Sequence, residues 1–412
     1  MRDEMKKVPR LRFRGFQEDW EQCKLGRMAS FSKGNGYSKA DLIEEGHPLI
    51  LYGRLYTKYE TIIESVDTFA KLQDKSILSK GGEVIVPSSG ESAEDISRAS
   101  VVDVAGVVLG GDLNIIKTNS ELNPTFLALT ISNGSQQKEM SKRAQGKSIV
   151  HLHNSDLKEI NLLYPKIEEQ IYIGLFFKKL EDTINLHQRK LDQLKELKKA
   201  YLQVMFPVKD ERAPKLRFAD FEGEWEQCKL EDYATYRRGS FPQPYGNKKW
   251  YDGENAMPFV QVIDVTEQLS LVKDTKQKIS KLAQSKSVFV SAGKVVVTLQ
   301  GSIGRVAITQ YNSYIDRTLL VFESYEKETD EYFWAYTIQQ KFEIEKRKAP
   351  GGTIKTITKE ALSSFEVNFP EYEEQQKNGN FLKNLDNILT LDQKKLDQLK
   401  SLKKSYLQNM FI

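Results

Sequence analysis

Apolar residues recur with a helical period in two long segments, residues 166–206 and 371–412. In each segment the apolar positions are separated alternately by four and three residues, which defines a heptad seam. The two seams run through Leu180, Ile184, His187, Leu191, Leu194, Lys198, Tyr201 and Met205, and through Leu385, Leu389, Asp392, Leu396, Leu399, Lys403, Tyr406 and Met410. About forty residues at ~1.5 Å each would span roughly 60 Å, too long for a core helix of a small domain. The pattern predicts two long helices that bury their seams against each other.

The rest of the chain combines short β-branched runs with helical patterns. The runs are bounded by Gly, Ser or Asp, which is typical of strands. They are Val84–Val86, Val101–Val108, Val295–Leu299, Val306–Thr309 and Leu319–Phe322. Asn123, followed by Pro124, and Asp330 each precede an apolar helical pattern and are predicted to cap helix N-termini. The expected fold class is α+β, with two α/β domains separated by two long antiparallel helices that form a coiled coil.

The chain is an internal repeat, which is visible at both ends of each half. Trp20–Leu25 recurs 205 residues later as Trp225–Leu230, and Gln188–Phe206 recurs at the same offset as Gln393–Phe411. Constant ends and divergent middles predict two units that share partners but recognise different targets. If a two-fold axis relates the units, the long helices run antiparallel. The predicted boundaries are 1–165 and 215–370 for the domains, 166–206 and 371–412 for the helices, and 207–214 for a polar linker.

Composition and charge narrow the class of protein only moderately. The 412 residues, 39% hydrophobic and 29% charged, fit two or three globular domains. Lys and Arg exceed Asp and Glu by 61 to 57, a balance that neither demands nor excludes nucleic acid. No apolar run approaches the ~18 residues of a membrane helix, and the N-terminus lacks a signal-like apolar stretch. Two cysteines cannot form a disulfide framework, which favours a cytoplasmic location.

Two short motifs resemble catalytic loops. Asn123–Phe126 differs by one residue from the N-P-P-F loop of adenine-N6 methyltransferases, which holds a flipped adenine. Thr125 replaces the second proline, however, and the other half of the chain lacks the motif, so a helix cap is the favoured interpretation. Gly146–Ser148 resembles the end of a phosphate-binding loop, but Ser141 stands where that loop needs glycine. Neither motif favours catalysis.

The remaining reactive side chains also favour structural roles. His151 and His153 lack Cys or carboxylate partners at ligand spacing, so we expect no metal site and no cofactor. We interpret His187 as a packed polar residue of the helix seam. Cys23 and Cys228, at equivalent repeat positions, are interpreted as small buried hydrophobic residues. No nucleophile–base arrangement repeats in the two halves.

Basic segments that contain Gly, aromatic and amide residues occur in both halves. Arg237–Trp250 has four basic residues and no acid, and basic strips at Lys138–Lys147 and 341–355 precede the long helices. Lys and Arg neutralise phosphates, and Arg, Lys, Asn and Gln recognise base edges in the major groove. A solvated charged surface is the alternative for any one segment. The residues predicted to bind DNA are Lys33, Asn35, Tyr37, Ser38, Lys39, Arg54, Tyr56, Lys58, Lys142, Arg143, Gln145, Lys147, Arg237, Arg238, Ser240, Gln243, Tyr245, Lys248, Lys249, Gln300, Ser302, Arg305, Lys346, Arg347, Lys348, Thr353 and Lys355.

Taken together, these features resemble the specificity subunit of type I restriction–modification systems. The resemblance covers nearly the whole chain. Its carriers are the paired strips Phe13–Leu25 and Phe218–Leu230, the paired segments from Pro165 and Pro370 into the long helices, Gly34–Lys39, and Gly351–Lys355. Each short motif is weak by itself, whereas the alternation of constant and variable regions is specific.

The resemblance implies a non-catalytic subunit in a larger complex. Each of two target-recognition domains would read one half of a bipartite, asymmetric site in double-stranded DNA. The helices and constant strips would dock two methyltransferase subunits and, through them, restriction–translocase subunits. S-adenosylmethionine, ATP and Mg²⁺ would belong to those partners.

Two alternative functions compete with this interpretation. One is a self-sufficient methyltransferase that uses the Asn123–Phe126 loop. The other is a coiled-coil scaffold whose variable domains bind protein rather than DNA. Methylation by the isolated chain would favour the first, and failure to bind DNA in the presence of a methyltransferase partner would favour the second.

Overall fold

The computed structural model of the chain describes residues 8–144, 150–208, 211–348 and 362–412. The chain forms two compact units. Unit 1 is the described part of Met1–Gln188 together with Lys394–Ile412, and unit 2 is the described part of Arg189–Gln393. None of the helices in these ranges combines the length and the apolar character that crossing a lipid bilayer requires.

Unit 1 contains short strands, four short helices and the first part of a long helix. The strands are β1 Glu21–Lys24, β2 Ala29–Lys33, β3 Leu42–Ile43, β4 His47–Ile50, β5 Ile62–Ile63, β6 Phe69–Ala70, β7 Glu83–Pro87, β8 Ser89–Gly90, β9 Ser100–Val102, β10 Val108–Leu109, β11 Leu113–Thr118, β12 Val150–His151 and β13 Asn161–Tyr164. The helices are α1 Arg54–Thr57, α2 Pro124–Ile131, α3 Gly134–Arg143, α4 Asn154–Lys158 and α5 Ile167–Val204, the last of which continues into unit 2.

The main sheet of unit 1 has the strand order β2-β11-β7-β9-β5. Along β7, Val84 and Val86 enter one apolar core and Ile85 enters another, because successive side chains of a strand point to opposite faces. The predicted run Val101–Val108 is divided between β9 and β10, since the chain turns through Gly106 at a φ of 82°. Separate sheets are formed by β10-β4-β6-β3, by β1 with β13 and by β12 with β8.

Unit 2 has the second long helix and two four-stranded sheets. Its strands are β14 Glu226–Lys229, β15 Ala234–Arg238, β16 Met257–Val260, β17 Gln277–Ile279, β18 Val288–Val290, β19 Val295–Thr298, β20 Val306–Ile308, β21 Ser313–Ile315, β22 Leu319–Tyr325 and β23 Glu366–Phe369. Its helices are α6 Leu230–Tyr233, α7 Lys281–Gln284, α8 Glu331–Lys348 and α9 Tyr372–Met410, which continues into unit 1. The sheets have the orders β15-β22-β19-β20 and β17-β16-β21-β18, and β14 pairs with β23.

The constant ends of each repeat are held together by the same buried ion pair. Arg12 donates two hydrogen bonds of 2.7 Å to Glu169, whose side chain is 1% exposed. In unit 2, Arg217 donates to Glu374 at 2.8 and 2.7 Å. This ion pair connects the N-terminal segment of each unit to the first turn of its long helix.

Each long helix also forms a hydrogen bond with the N-terminus of a shorter helix in its unit. Asn123 caps α2 by accepting a hydrogen bond from the backbone of Phe126 at 3.0 Å, and Asp330 caps α8 through Phe333 at 2.8 Å, so both predicted caps are confirmed. The side-chain oxygen of Gln170 accepts a hydrogen bond from the backbone N–H of Asn123 at 2.8 Å. The side-chain oxygen of Gln375 accepts one from the backbone N–H of Asp330 at 3.2 Å. Glycines at the next helical turn, Gly174 and Gly379, allow this close approach, since an added Cβ would meet side-chain atoms of Thr125 and Asp330 at 3.3 and 2.2 Å.

In each unit the two long helices pack antiparallel. In unit 1, Phe176 contacts Tyr406 with ring centroids 5.0 Å apart, and Glu181 pairs with Lys403 at 3.0 Å. In unit 2, the equivalent contacts are Phe381 with Tyr201 at 4.8 Å and Asp386 with Lys198 at 2.5 Å. The predicted seam residues are buried or half-buried, and the polar seam positions Lys198 and Lys403 are neutralised by carboxylates from the facing helix. The antiparallel arrangement predicted from the repeat is confirmed within each unit.

A repeated aromatic cluster forms the centre of each core. Trp20 packs against Phe126 at 5.7 Å, and Phe126 packs against Phe411 at 6.0 Å. Unit 2 repeats the cluster with Trp225, Phe333 and Phe206, at 5.5 and 5.6 Å. The residues that directly follow each long helix therefore complete the core of the unit in which that helix ends.

The two cysteines correct an expectation. Cys23 in β1 and Cys228 in β14 are half-buried rather than fully buried. Each cysteine lies in a two-stranded sheet and packs against the edge of the apolar core of its unit. Its side chain therefore stays partly accessible to solvent. Partial burial raises the pKa of both thiols, which disfavours the reactive thiolate.

Candidate nucleic-acid interface

In both units, the main-sheet strand that follows the N-terminal strip ends at a glycine. Gly34 follows β2 and Gly239 follows β15, again 205 residues apart. The Gly34 amide donates to the carbonyl oxygen of Leu113 at 3.0 Å, and the Gly239 amide donates to Leu319 at 2.9 Å. An added Cβ would lie 2.0 Å from the Gly110 oxygen or 2.3 Å from the Asp316 oxygen, so only glycine fits. The two predicted DNA-binding segments therefore leave their sheets at the same place.

In unit 1, polar residues of this loop hold its shape. The Asn35 amide side chain donates to the carbonyl of Lys75 at 2.9 Å, and the Tyr37 hydroxyl accepts from the Gln73 amide at 2.9 Å. The hydroxyl of Ser38 donates to Asp41 at 2.9 Å. Lys33 and Lys39 are exposed on either side of the loop. The loop thus presents two lysines on a framework that hydrogen bonds make rigid.

In unit 2, the corresponding loop is built around aromatic rings. The Tyr245 hydroxyl donates to the buried carboxylate of Asp316 and accepts from the Gln261 side chain at 3.0 Å, and burial raises the pKa of this phenol. Tyr251 donates to the Tyr245 carbonyl at 2.7 Å. The guanidinium of exposed Arg317 lies 5.7 Å from the Tyr245 ring. Tyr245 therefore positions a cation at the turn before β22.

A second group of cations in unit 2 surrounds Trp250. The ammonium groups of Lys249 and Lys286 lie 4.4 and 5.4 Å from its ring centroid. Ser240 donates to the Lys286 carbonyl at 3.2 Å, which fixes the first loop against this group. Neither Lys286 nor Arg317 was predicted from the sequence, because Arg317 is a single cation beside Asp316 and Lys286 ends a stretch of spaced lysines that has no glycine or aromatic residue.

A further loop in each unit lies next to the turn that precedes β11 in unit 1 and β22 in unit 2. The Ser88 amide donates to Asp112, and the Leu299 amide donates to Thr318, both at 2.8 Å. In unit 2 this loop carries the predicted residues Gln300, Ser302 and Arg305, and Arg305 pairs with Glu267 at 3.6 Å. In unit 1 the loop carries exposed carboxylates instead, at Glu91 and Glu94. Carboxylates can accept a hydrogen bond from the cytosine amino group.

Several predicted contact residues are occupied by contacts within the chain. Arg54 is buried and pairs with Glu60 at 2.7 Å and with Asp67 at 2.5 Å, which removes it from the accessible surface. The bond from Lys58, together with Arg54, lowers the pKa of Asp67 to about 2. The other residues with internal partners are Tyr56, bonded to the Ser89 carbonyl at 3.0 Å; Arg143, paired with Glu139 at 3.0 Å; Arg237, paired with Glu323 at 2.6 Å; and Arg238, bonded to the Arg317 carbonyl.

The remaining predicted residues are exposed or lie outside the description. Lys142, Gln243, Lys248 and Lys249 are exposed. Gln145, Lys147, Thr353 and Lys355, and the Gly146–Ser148 and Gly351–Lys355 segments, lie outside the described residues, as do the side chains of Lys346, Arg347 and Lys348.

The motifs that resemble catalytic sites have structural roles in the described residues. Asn123 is used as a helix cap, and Phe126 is fully buried, so its ring cannot stack on an extruded base. The rings of His151 and His153 are stacked 6.4 Å apart. Across the described part of the chain, no group of three metal-binding side chains comes together.

Comparison with known proteins agrees with this geometry. Residues 17–196 and 222–401 each match the family model for the type I restriction modification DNA specificity domain. Similar proteins include two from Methanocaldococcus jannaschii. The putative type I restriction enzyme MjaX specificity subunit is 22% identical, and the MjaVIII specificity subunit is 20% identical; each alignment covers 94% of this chain and 91% of that protein.

Solved structures show the same fold. The type I restriction–modification S subunit from M. genitalium superposes with a TM-score of 0.64 at 14% identity, covering 98% of this chain and 99% of that one. A chain from a study of type I complex assembly and conformational transition superposes with a TM-score of 0.55 at 16% identity, covering 94% and 96%.

Two units built alike, each with loops of unlike chemistry at one sheet edge, define a duplicated recognition protein. The matches show that this chain belongs to the family of type I restriction–modification DNA specificity subunits. The resemblance, the α+β fold class and the assignment to a non-catalytic specificity subunit are thereby confirmed.

Proposed function

We propose that each unit reads one half of a bipartite, asymmetric site in the major groove of double-stranded DNA. The observation that carries this proposal is the pair of loops that leave equivalent glycines, Gly34 and Gly239, with unlike side chains. An identical scaffold with different contact chemistry suits two different half-sites. The chain would in this way set the sequence specificity of a restriction–modification complex.

Phosphate and base contacts would be divided among the exposed loop residues. Lys33 and Lys39 in unit 1, and Lys248, Lys249 and Arg317 in unit 2, supply cations for the backbone. Amide and hydroxyl groups supply donors and acceptors for base edges; they belong to Gln243, Gln300 and Ser302, and to Asn35 through its side-chain oxygen, since its nitrogen bonds the Lys75 carbonyl. Phosphate contacts would dominate affinity and base contacts would select the sequence.

We further propose that the outer face of the paired helices docks two methyltransferase subunits, through which restriction–translocase subunits join. The seam residues are used within the chain, so docking needs other side chains. Leu186 and Leu402 in unit 1 are exposed by 57% and 43%, and Leu391 and Leu197, their repeat equivalents in unit 2, by 65% and 44%. We call each pair a leucine patch.

Heptad positions place each leucine patch on one side of its helix pair. With Ile184 and Leu191 at position a, Leu186 takes position c and Leu402 takes position g, which share a side in an antiparallel pair. Position e points to the other side, where Leu407 packs against the unit 1 core. The unit 1 patch therefore lies on the side of the helix pair opposite to Leu407, and its exposed leucines can contact a partner.

The DNA assignment is tested by exchanging one variable body. Replacing residues 231–350 by those of another specificity subunit should change one half of the methylated sequence and leave the other half intact. Methylome sequencing measures both halves at once. Alteration of both halves would contradict independent recognition, and loss of DNA binding with the methyltransferase still bound would favour the protein-binding scaffold.

The phosphate contacts are tested by the salt dependence of binding. Lys248→Gln with Lys249→Gln should reduce the slope of log K against log salt by about 0.9 for each lost contact. Lys229→Gln is a matched control, because Lys229 lies beyond the far end of β15 from the loop. An equal slope in both variants would exclude the loop lysines from the interface.

Helix length is proposed to set the spacer between the half-sites. Inserting one or two helical turns into α5 should lengthen the spacer of the methylated sequence by at least one base pair. An active complex with an unchanged spacer would overturn this part of the proposal.

A further inference from the structure

The two leucine patches consist of the same residue types, but the helix surface four turns before Leu186 differs from the equivalent surface in unit 2. Fourteen residues before Leu186, and thus at the same heptad position, unit 1 has Tyr172. Tyr172 is 59% exposed, and Leu175 on the next turn is 61% exposed. In unit 2 the equivalent positions are Lys377 and Asn380, both exposed.

The exposed ring of Tyr172 is held in place before any partner arrives. It lies 6.3 Å from the ring of Phe13 and 5.8 Å from that of Phe16, both in the constant N-terminal strip. A partner that covers Tyr172 and Leu175 therefore removes apolar surface from water without ordering a mobile side chain.

The corresponding surface in unit 2 resists the same burial. Lys377 pairs with Asp220 at 2.7 Å, and its ammonium lies 4.9 Å from the ring of Phe221. Phe221 is the repeat equivalent of Phe16, so a lysine covers the ring that a tyrosine contacts in unit 1. A partner that docks here must desolvate this ion pair or leave the surface wet.

We infer that the two methyltransferase sites are unequal, with the tighter site in unit 1 where Tyr172 and Leu175 extend the leucine patch. This inference rests on the proposed docking of methyltransferase subunits. The occupant is the methyltransferase subunit proposed for the leucine patch, because Tyr172 lies at the same heptad position as Leu186 about 21 Å along the helix, a distance that one protein interface can span. The first methyltransferase subunit binds unit 1, and the second binds unit 2 at higher concentration.

The test is a titration of the full chain with its methyltransferase subunit, followed by native mass spectrometry to resolve the two stepwise dissociation constants. For the unaltered chain the constants should differ by about tenfold beyond the statistical factor. Y172K/L175N should remove this difference by weakening the tighter site, and K377Y/N380L should remove it by strengthening the weaker one. Circular dichroism checks that both variants fold.

Two further variants assign the sites. L186D/L402D should abolish the tighter step and L391D/L197D the weaker one. If all four leucine substitutions leave both steps unchanged, the docking face itself is wrong. If those substitutions act as expected but the unaltered chain has constants that differ only by the statistical factor, the docking face stands and the inequality is refuted. Dimerisation of the chain alone, lost in Y172K/L175N, would assign the extension to a second copy and also refute it.

Discussion

The loop after Gly34 in unit 1 is short and presents lysines, whereas the loop after Gly239 in unit 2 is longer and arranges cations around Tyr245 and Trp250. Both loops begin with the same close approach of a glycine to a backbone carbonyl. The comparison teaches that the scaffold constrains where a recognition loop starts and leaves its length and chemistry free. Under the proposed function, such a division would allow one half-site to change without disturbing the other.

The constant ends of the two units behave in the opposite way. Arg12 with Glu169 and Arg217 with Glu374 match within 0.1 Å in their hydrogen-bond lengths. Identity at this place is required because a buried carboxylate tolerates neither loss nor displacement of its partner.

The largest effect we expect is from breaking this ion pair. Arg12→Met or Arg217→Met should destabilise the unit that contains it by about 3–5 kcal/mol, since a nearly inaccessible carboxylate would be left without a partner. Urea unfolding of each variant measures the loss. Equal losses of stability in the two variants would show that the ion pair contributes the same free energy to both units.

The control for that comparison is an exposed ion pair of the same region. Lys166 pairs with Glu18 at 2.6 Å, with both side chains more than 60% exposed. Lys166→Met should cost far less than Arg12→Met, because solvent screens an exposed ion pair. A cost as large as that of Arg12→Met would show that burial is not the cause.

The next largest effect is from the glycines. Gly34→Val or Gly239→Val forces side-chain atoms into a backbone carbonyl and should cost about 1–3 kcal/mol. Each variant should also impair recognition of one half-site. Methylated-sequence analysis would show relaxed specificity in the half read by the altered unit; the same change in both halves would contradict the assignment of one loop to one half-site.

The repeat and the heptads were sufficient to predict the helices, their antiparallel pairing and the caps at Asn123 and Asp330. Those features depend on local spacing, which sequence displays directly. The predicted DNA contacts were a weaker guide, because a basic residue in a promising segment can be consumed by a distant carboxylate. Arg54 illustrates this, since its partner Asp67 lies thirteen residues away and only the fold brings them together.

The opposite error concerns cations that the sequence does not highlight. Arg317 is a single cation beside Asp316, and Lys286 ends a stretch of spaced lysines without aromatic residues, yet the fold places both cations against aromatic rings of the loop. The leucine patches were missed for another reason, because leucines outside the seam look like helix formers until their exposure is known.

A smaller effect separates the units at the helix seam. Tyr336 donates a hydrogen bond to Asp386, which also pairs with Lys198, and the position in unit 1 that aligns with it when Phe126 is matched to Phe333 is Leu129. Tyr336→Phe should destabilise unit 2 by about 0.5–1.5 kcal/mol, since Lys198 still neutralises the carboxylate. Ile131→Val, the loss of one methyl group from a buried residue in the equivalent helix of unit 1, should cost about 0.5–1.5 kcal/mol. Thermal unfolding followed by circular dichroism measures both losses of stability. If Tyr336→Phe left the stability unchanged, the hydroxyl would not contribute to the packing of α8 against the long helix.

The smallest effect is a pH dependence confined to unit 1. Bonds from Lys58 and Arg54 lower the pKa of Asp67 from 3.8 to about 2. Because the carboxylate is favoured in the folded state, its contribution is present above about pH 4 and is lost as the pH falls towards 2. Asp67→Asn should therefore be less stable than the unaltered chain at pH 6, and the difference should shrink as the solution is acidified. Asp274→Asn, which removes an exposed pair with Lys278 at 3.4 Å in unit 2, serves as the control. A stability difference for Asp67→Asn that stays constant between pH 6 and pH 2 would show that the ion pair does not carry the effect.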